Sequence, residues 1–225
     1  MNNIIQNFDK EIVFFDLSGK KNLKGTMIDM SNDMIVLFNG TDFIYIPIDH
    51  IQNFGIDNDN KDEIKEPSES PSIISNKNKT DLTLAKVLSQ AQGIYVEIYV
   101  TGNQPLHGYI TNIMSDYFVF YSPIYKTMYI AFKHLKWLIP YTHNQSPYGL
   151  SDKELQIQSI IEPLSSTLEA QVEKMKNELV VFNLGEKDNH IGKINNVNGQ
   201  IVEIQTARTN FSYHNLLHIK TVHQV

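Results

Sequence analysis

The 225-residue chain contains no cysteine. That absence excludes disulfides, thiolate zinc sites and cysteine nucleophiles, and it fits a reducing compartment. No stretch approaches the roughly 18 consecutive apolar residues of a membrane-spanning helix. The amino terminus, MNNIIQNFDKEIVFF, lacks the basic start and clean apolar run of a signal peptide. A soluble, cytoplasmic protein without a membrane partner is expected. Catalytic motifs are missing too: there is no HExxH, no phosphate-cradling glycine loop and no nucleophile elbow. No two carboxylates share a repeated or apolar context suited to acid–base work. The expectation is a protein that is not an enzyme and uses no cofactor. Positive charge is also in short supply. The net charge is −6, distributed as −4 over residues 1–57, −1 over 58–80, +1 over 81–142 and −2 over 143–225. A nucleic-acid binder normally carries a basic footprint, so the balance leans against such a partner.

What the chain does have is a threefold repetition. Gly25, Gly108 and Gly192 lie 83 and 84 positions apart, each followed two and five residues on by apolar side chains. These followers are Met27 and Met30, Ile110 and Ile113, and Ile194 and Val197. Some 25 or 26 residues past each glycine stands a histidine before a branched aliphatic: His50-Ile51, His134-Leu135 and His218-Ile219. A fixed period of this kind marks repeated structural units. Units of 50 to 60 residues are individually marginal, so the repeats are expected to pack on one another.

The domain organisation follows. Residues 1–56 form a first repeat, 57–80 a polar linker, 81–141 a second repeat, 142–163 a connector and 164–225 a third repeat. The linker DNDNKDEIKEPSESPSIISNKNKT is too poor in aliphatics to order itself. Helical signals open the second and third repeats, with Asp81 as a cap before Leu82 to Ala91 and a Ser166–Glu169 capping box before Leu168. Short runs rich in Val, Ile, Phe and Tyr follow, five to a repeat, broken by Gly, Asn, Asp or Pro. Five short strands in about 55 residues suit a small, strongly bent barrel, with the repeated glycine as a close-approach point in its second strand.

This order, together with FKHLKWLIP at residues 132–140, resembles the Sm-like fold, nearest to the bacterial Hfq RNA chaperones. The resemblance covers most of residues 82–140 and extends more loosely to the other repeats. It implies a mainly β protein of three tandem Sm-like or SH3-like five-stranded barrels. It also implies a Lys-His turn that contacts RNA, which falls on Lys133 and His134. Asp49 and Leu217 stand where the other repeats would need that lysine, and an acidic residue there repels phosphate. The chain is also similar to short Sm-like or SH3-like barrel domains of spore-forming bacilli, some of them coat-associated, on the ending IPI-x-H-I at Ile46 to Ile51.

Other candidates carry less. A pseudo-threefold arrangement could gather His50, His134 and His218 about a metal, but no carboxylate recurs with them, so a structural role is expected and no metal site. Asp57, Asp59, Asp62 and Glu63 form a faint calcium-loop pattern spoiled by Lys61 at a ligand position. Aromatics crowd the middle repeat, with nine of the eleven tyrosines between Tyr95 and Tyr148. Tyr117, Tyr121, Tyr125, Tyr129 and Trp137 are the candidate interaction surface, since aromatics favour interfaces. The expected function is a non-catalytic interaction or assembly protein, cytoplasmic or spore-coat associated, that binds a protein partner or itself. The alternative is an RNA-binding regulator using Lys133 and His134.

Overall fold

A computed structural model of the chain describes residues 8, 11–58, 64–68, 70–73, 82–141, 147–150 and 163–225. Asp81 and most of the expected linker and connector lie outside these residues. The described chain is mainly β. Its strands are β1 (Ile12–Leu17), β2 (Lys21–Met30), β3 (Met34–Phe38), β4 (Phe43–Pro47), β5 (Ile51–Ile56), β6 (Tyr95–Tyr99), β7 (Leu106–Ile113), β8 (Tyr117–Ser122), β9 (Lys126–Ala131) and β10 (Trp137–Pro140). The third repeat adds β11 (Leu179–Phe182), β12 (Ile191–Asn198), β13 (Ile201–Gln205), β14 (Phe211–Asn215) and β15 (Thr221–Gln224). Helices α1 (Leu84–Ala91) and α2 (Leu168–Lys174) precede the second and third sets of strands.

Three closed five-stranded barrels do not form. Within each of two compact units, the strands make an open antiparallel sheet. The reason lies in where the fifth strand of each repeat goes. A short 3-10 turn follows β4 and another follows β9, and each redirects the chain. Strand β5 then pairs with β1 rather than closing on β4. The open edge of β4 is taken by β10, with Leu138 opposite Tyr45. The open edge of β9 is taken by β15, with Val222 opposite Tyr129. In the first and second repeats, the ladder that would close the barrel is thus made with the fifth strand of the next repeat.

The chain divides into two compact units, residues 1–98 with 136–142 and residues 99–135 with 143–225. In the first, the strands run β6-β10-β4-β3-β2-β1-β5, and in the second β14-β13-β12-β11-β15-β9-β8-β7. The core of the second unit mixes repeats. Tyr117, Val119, Tyr129 and Ala131 from β8 and β9 are buried with Leu168 and Val172 of α2 and with Val180, Phe182, Ile194, Ile219 and Val222. Every residue of β8 is buried, as its unbroken apolar run leads one to expect.

The three glycines occupy equivalent places. A Cβ added to Gly25, Gly108 or Gly192 would come within 3.0 Å of the carbonyl oxygen of Phe38, Tyr121 or Gln205. Just beyond each glycine the second strand carries a bulge, between Met27 and Asp29, Ile110 and Asn112, and Ile194 and Asn196. A bulge adds a residue to one strand and bends it sharply, which lets a short strand serve two faces.

Both helices start on a threonine one or two residues from the sequence-expected caps. Thr83 accepts from the amide of Lys86, and Thr167 from that of Ala170. Each hydroxyl satisfies one orphan amide of its first turn. Thr167→Ala is therefore expected to cost about 1 kcal/mol. A urea melt of the variant checks it, and an unchanged midpoint would remove the cap from the account.

Candidate functional site

One tyrosine recurs in the fourth strand of every repeat: Tyr45, Tyr129 and Tyr213, spaced by 84 residues each time. Their cross-strand neighbours correspond, since Tyr45 faces Val36, Tyr129 faces Val119 and Tyr213 faces Glu203. Tyr45 is 0% exposed and Tyr129 is 8% exposed, yet Tyr213 is 64% exposed. The surroundings follow suit. Met34 and Val36, and Tyr117 and Val119, are buried, whereas the corresponding Ile201 is 43% exposed and Glu203 is half-buried.

What covers the first two positions is visible. The hydroxyl of Tyr45 donates to the carbonyl of Ile73 at 2.8 Å and accepts its amide at 3.2 Å. The hydroxyl of Tyr117 donates to the carbonyl of Ser165 at 2.7 Å, beside the Gln171 side chain of α2. Burial pushes the Tyr117 phenol up to about 12 and raises that of Tyr45 as well. The third repeat carries the same face uncovered by any described residue. Phe211, Tyr213, Ile201, Leu179 and Ile191 are all exposed there, and a groove of about 980 Å³ runs past Leu179, Ile191 and Phe211, with Arg208 on its wall.

The sequence-expected residues lie elsewhere. Tyr117, Tyr121, Tyr129 and Trp137 are buried, and Tyr125 is half-buried on the wall of a groove of about 440 Å³ that also holds Tyr148. Trp137 donates its indole N–H to the Glu97 carboxylate at 3.1 Å. Lys133 is exposed in a groove of about 470 Å³ that also holds Asp116, Glu169 and Leu217. Partial desolvation lowers its pKa against the pull of Asp116, so two carboxylates share the space an RNA phosphate would need. The His134 ring lies 3.1 Å from the Leu217 carbonyl, and the His50 ring 2.9 Å from the Ser18 hydroxyl. The backbone carbonyl of His218 accepts from Asn183. The His50 and His134 rings thus make contacts at the turns before fifth strands, and His218 contributes its backbone carbonyl. Among the described residues no group of three or more His, Cys, Asp or Glu could hold a metal ion. The calcium-loop pattern falls largely outside the described residues.

A polar cluster and a histidine pair complete the second unit. The Glu186 carboxylate accepts from the Thr101 hydroxyl at 2.5 Å and the Gly102 amide at 2.6 Å, and Lys220 reaches Thr101 at 2.8 Å. These donors, with the Lys220 charge, hold the Glu186 pKa below the usual range despite desolvation. The rings of His190 and His214 meet at 5.5 Å. Desolvation lowers the pKa of His190, His214 and His223. A histidine depressed on folding binds fewer protons in the native than in the unfolded state, so stability rises with pH through that window. The melting temperature is expected to be lower at about pH 5.5 than at about pH 7.5, on either side of histidine's ordinary 6.5. Calorimetry on the wild type and on His190→Gln checks it: the drop should shrink in the variant.

Among the described residues no helix is long and apolar enough to cross a membrane. A family model for the YwrJ third domain matches residues 167–222, from the cap of α2 into β15. Over its whole length the chain is similar to the protein YwrJ of Bacillus subtilis (strain 168), 34% identical over 223 residues that span 96% of each chain.

Proposed function

The chain belongs to the YwrJ family, and we propose that it works as a non-catalytic assembly protein whose contact surface is the outer face of the third repeat. The observation that carries this reading is Tyr213, 64% exposed where its counterparts Tyr45 and Tyr129 are buried. A repeated position that is covered twice and open once marks a surface built to be covered. Contiguous exposed apolar side chains on a soluble sheet mark interaction sites. The cellular setting implied by the resemblance to coat-associated domains is the spore coat. Crosslinked capture of the full chain from cells, with and without ribonuclease, tests the reading. The expected result is a protein partner that survives ribonuclease. The RNA-regulator reading predicts its loss, together with a gel shift on short A-rich or U-rich RNA that weakens in Lys133→Ala. Substitutions at Asp49 and Leu217 should leave any such shift unchanged.

A further inference from the structure

Resting on that reading, we infer that the partner covering the third repeat is a second copy of this chain, joined head to tail through edge strand β14 of one copy and edge strand β5 of the next. Strand β5 ends the sheet of the first unit and β14 ends that of the second, so each presents an unpaired row of backbone donors and acceptors among the described residues. Such edges are templates for another strand, and the chain itself shows which strand fits.

Twice within the chain, the fourth strand of one repeat pairs antiparallel with the fifth strand of the next. The first joint sets Leu138 of β10 opposite Tyr45 of β4. The second sets Thr221, Val222 and His223 of β15 opposite Ile130, Tyr129 and Met128 of β9. Tyr45, Tyr129 and Tyr213 are spaced by 84, and so are Phe54, Leu138 and Val222. Among the described residues, the fourth strand β14 pairs with no fifth strand, and the fifth strand β5 pairs with no fourth strand. A third joint of the same kind between copies sets Phe54 opposite Tyr213, Asn53 opposite His214 and Gly55 opposite Ser212.

Burial at both ends matches an unfilled joint. On the donor side, Leu135 and Ile219 are 0% and 1% exposed, and Leu138 and Val222 are both fully buried. Their counterparts on the first repeat, Ile51 and Phe54, are only half-buried, and Asn53 is exposed where Trp137 and Thr221 are buried. Ile51, Asn53 and Phe54 line an open groove of about 300 Å³ with Met30, Ile35 and Ile48. On the acceptor side, Ile201 and Tyr213 are exposed where Tyr117 and Tyr129 enter the core of the following repeat. The two unfilled surfaces differ from one another. The contact is therefore heterologous, and it makes a ring if the rotation closes or a filament if it does not.

The test uses the full-length chain, and the lack of cysteine makes it clean. Sedimentation of the wild type is expected to show assemblies of two or more copies of the 25.9 kDa chain. Tyr213→Lys places a charge on an exposed edge position and should return the protein to a folded monomer that still unfolds in one cooperative urea transition, at a midpoint independent of protein concentration. In the second arm, Tyr213→Cys combined with Phe54→Cys should form intermolecular disulfides under mild oxidation, and mixing the two single variants should give only a covalent dimer. Three results would overturn the proposal: a wild type that sediments as a monomer at every concentration, a Tyr213→Lys variant with undiminished mass, or crosslinking of either single variant alone. A monomer that still captures a ribonuclease-resistant protein from cells would sink the self-joining and leave the assembly reading standing.

Discussion

A fragment comprising residues 163–225 should remain unfolded on its own, although it contains every strand of the third repeat. Its core is not its own: Tyr117, Val119, Tyr129 and Ala131 from β8 and β9 complete the cluster around Phe182. Burying one large apolar side chain contributes about 1.5–3 kcal/mol. Losing three such side chains and an alanine removes an amount comparable with the ~5–15 kcal/mol total stability of an ordinary domain. A unit of some 60 residues has little reserve against that loss. Circular dichroism and a urea titration decide the matter, because a cooperative transition at the full chain's midpoint would contradict a shared core. Within the full chain, Phe182→Ala empties the middle of the same cluster, where the ring is fully buried, and should cost about 3–5 kcal/mol.

The sequence carries the repeat plainly, because it rests on local geometry. Gly25, Gly108 and Gly192 are legible since only glycine fits against the facing carbonyl, and the branched residues after His50, His134 and His218 mark the turn into each fifth strand. Barrel closure is not legible, for a physical reason. Strands β5, β10 and β15 each follow a similar turn, and nothing in their composition says whether a fourth-strand partner comes from the same repeat or the one before. That choice is made by the edges available in three dimensions. The aromatic surplus of the middle repeat misleads in the same way. Tyr117 and Tyr129 look too numerous for one small core, and they are, so they enter the core of the next repeat as well. Tyr213 escapes notice because it stands alone in the third repeat. The even 84-residue spacing of Tyr45, Tyr129 and Tyr213 is the available signal.

Alanine at Gly108 is expected to destabilise the chain by about 1–3 kcal/mol, the usual range for overpacking, and valine by more. The new Cβ would meet the Tyr121 carbonyl carbon and oxygen within 3.0 Å, with the Phe120 ring at 3.0 Å. A backbone carbonyl in the middle of a sheet cannot swing aside as a side chain can. β8 is hydrogen-bonded to β7 on one edge and to β9 on the other, so relief means shifting a buried strand whose packing is close to crystalline density. Gly25 and Gly192 face the same obstacle in the carbonyls of Phe38 and Gln205, and they should respond alike. Gly55→Ala is the control. Its nearest neighbour is the Phe14 ring at 3.2 Å, on an edge strand where a half-buried ring can turn, so a small loss is expected. Thermal melts of the four single variants distinguish a repeated backbone constraint from a general cost of losing glycine in a strand. Comparable losses at residues 25, 108 and 192 with little at 55 fit the constraint, and four equal losses would refute it.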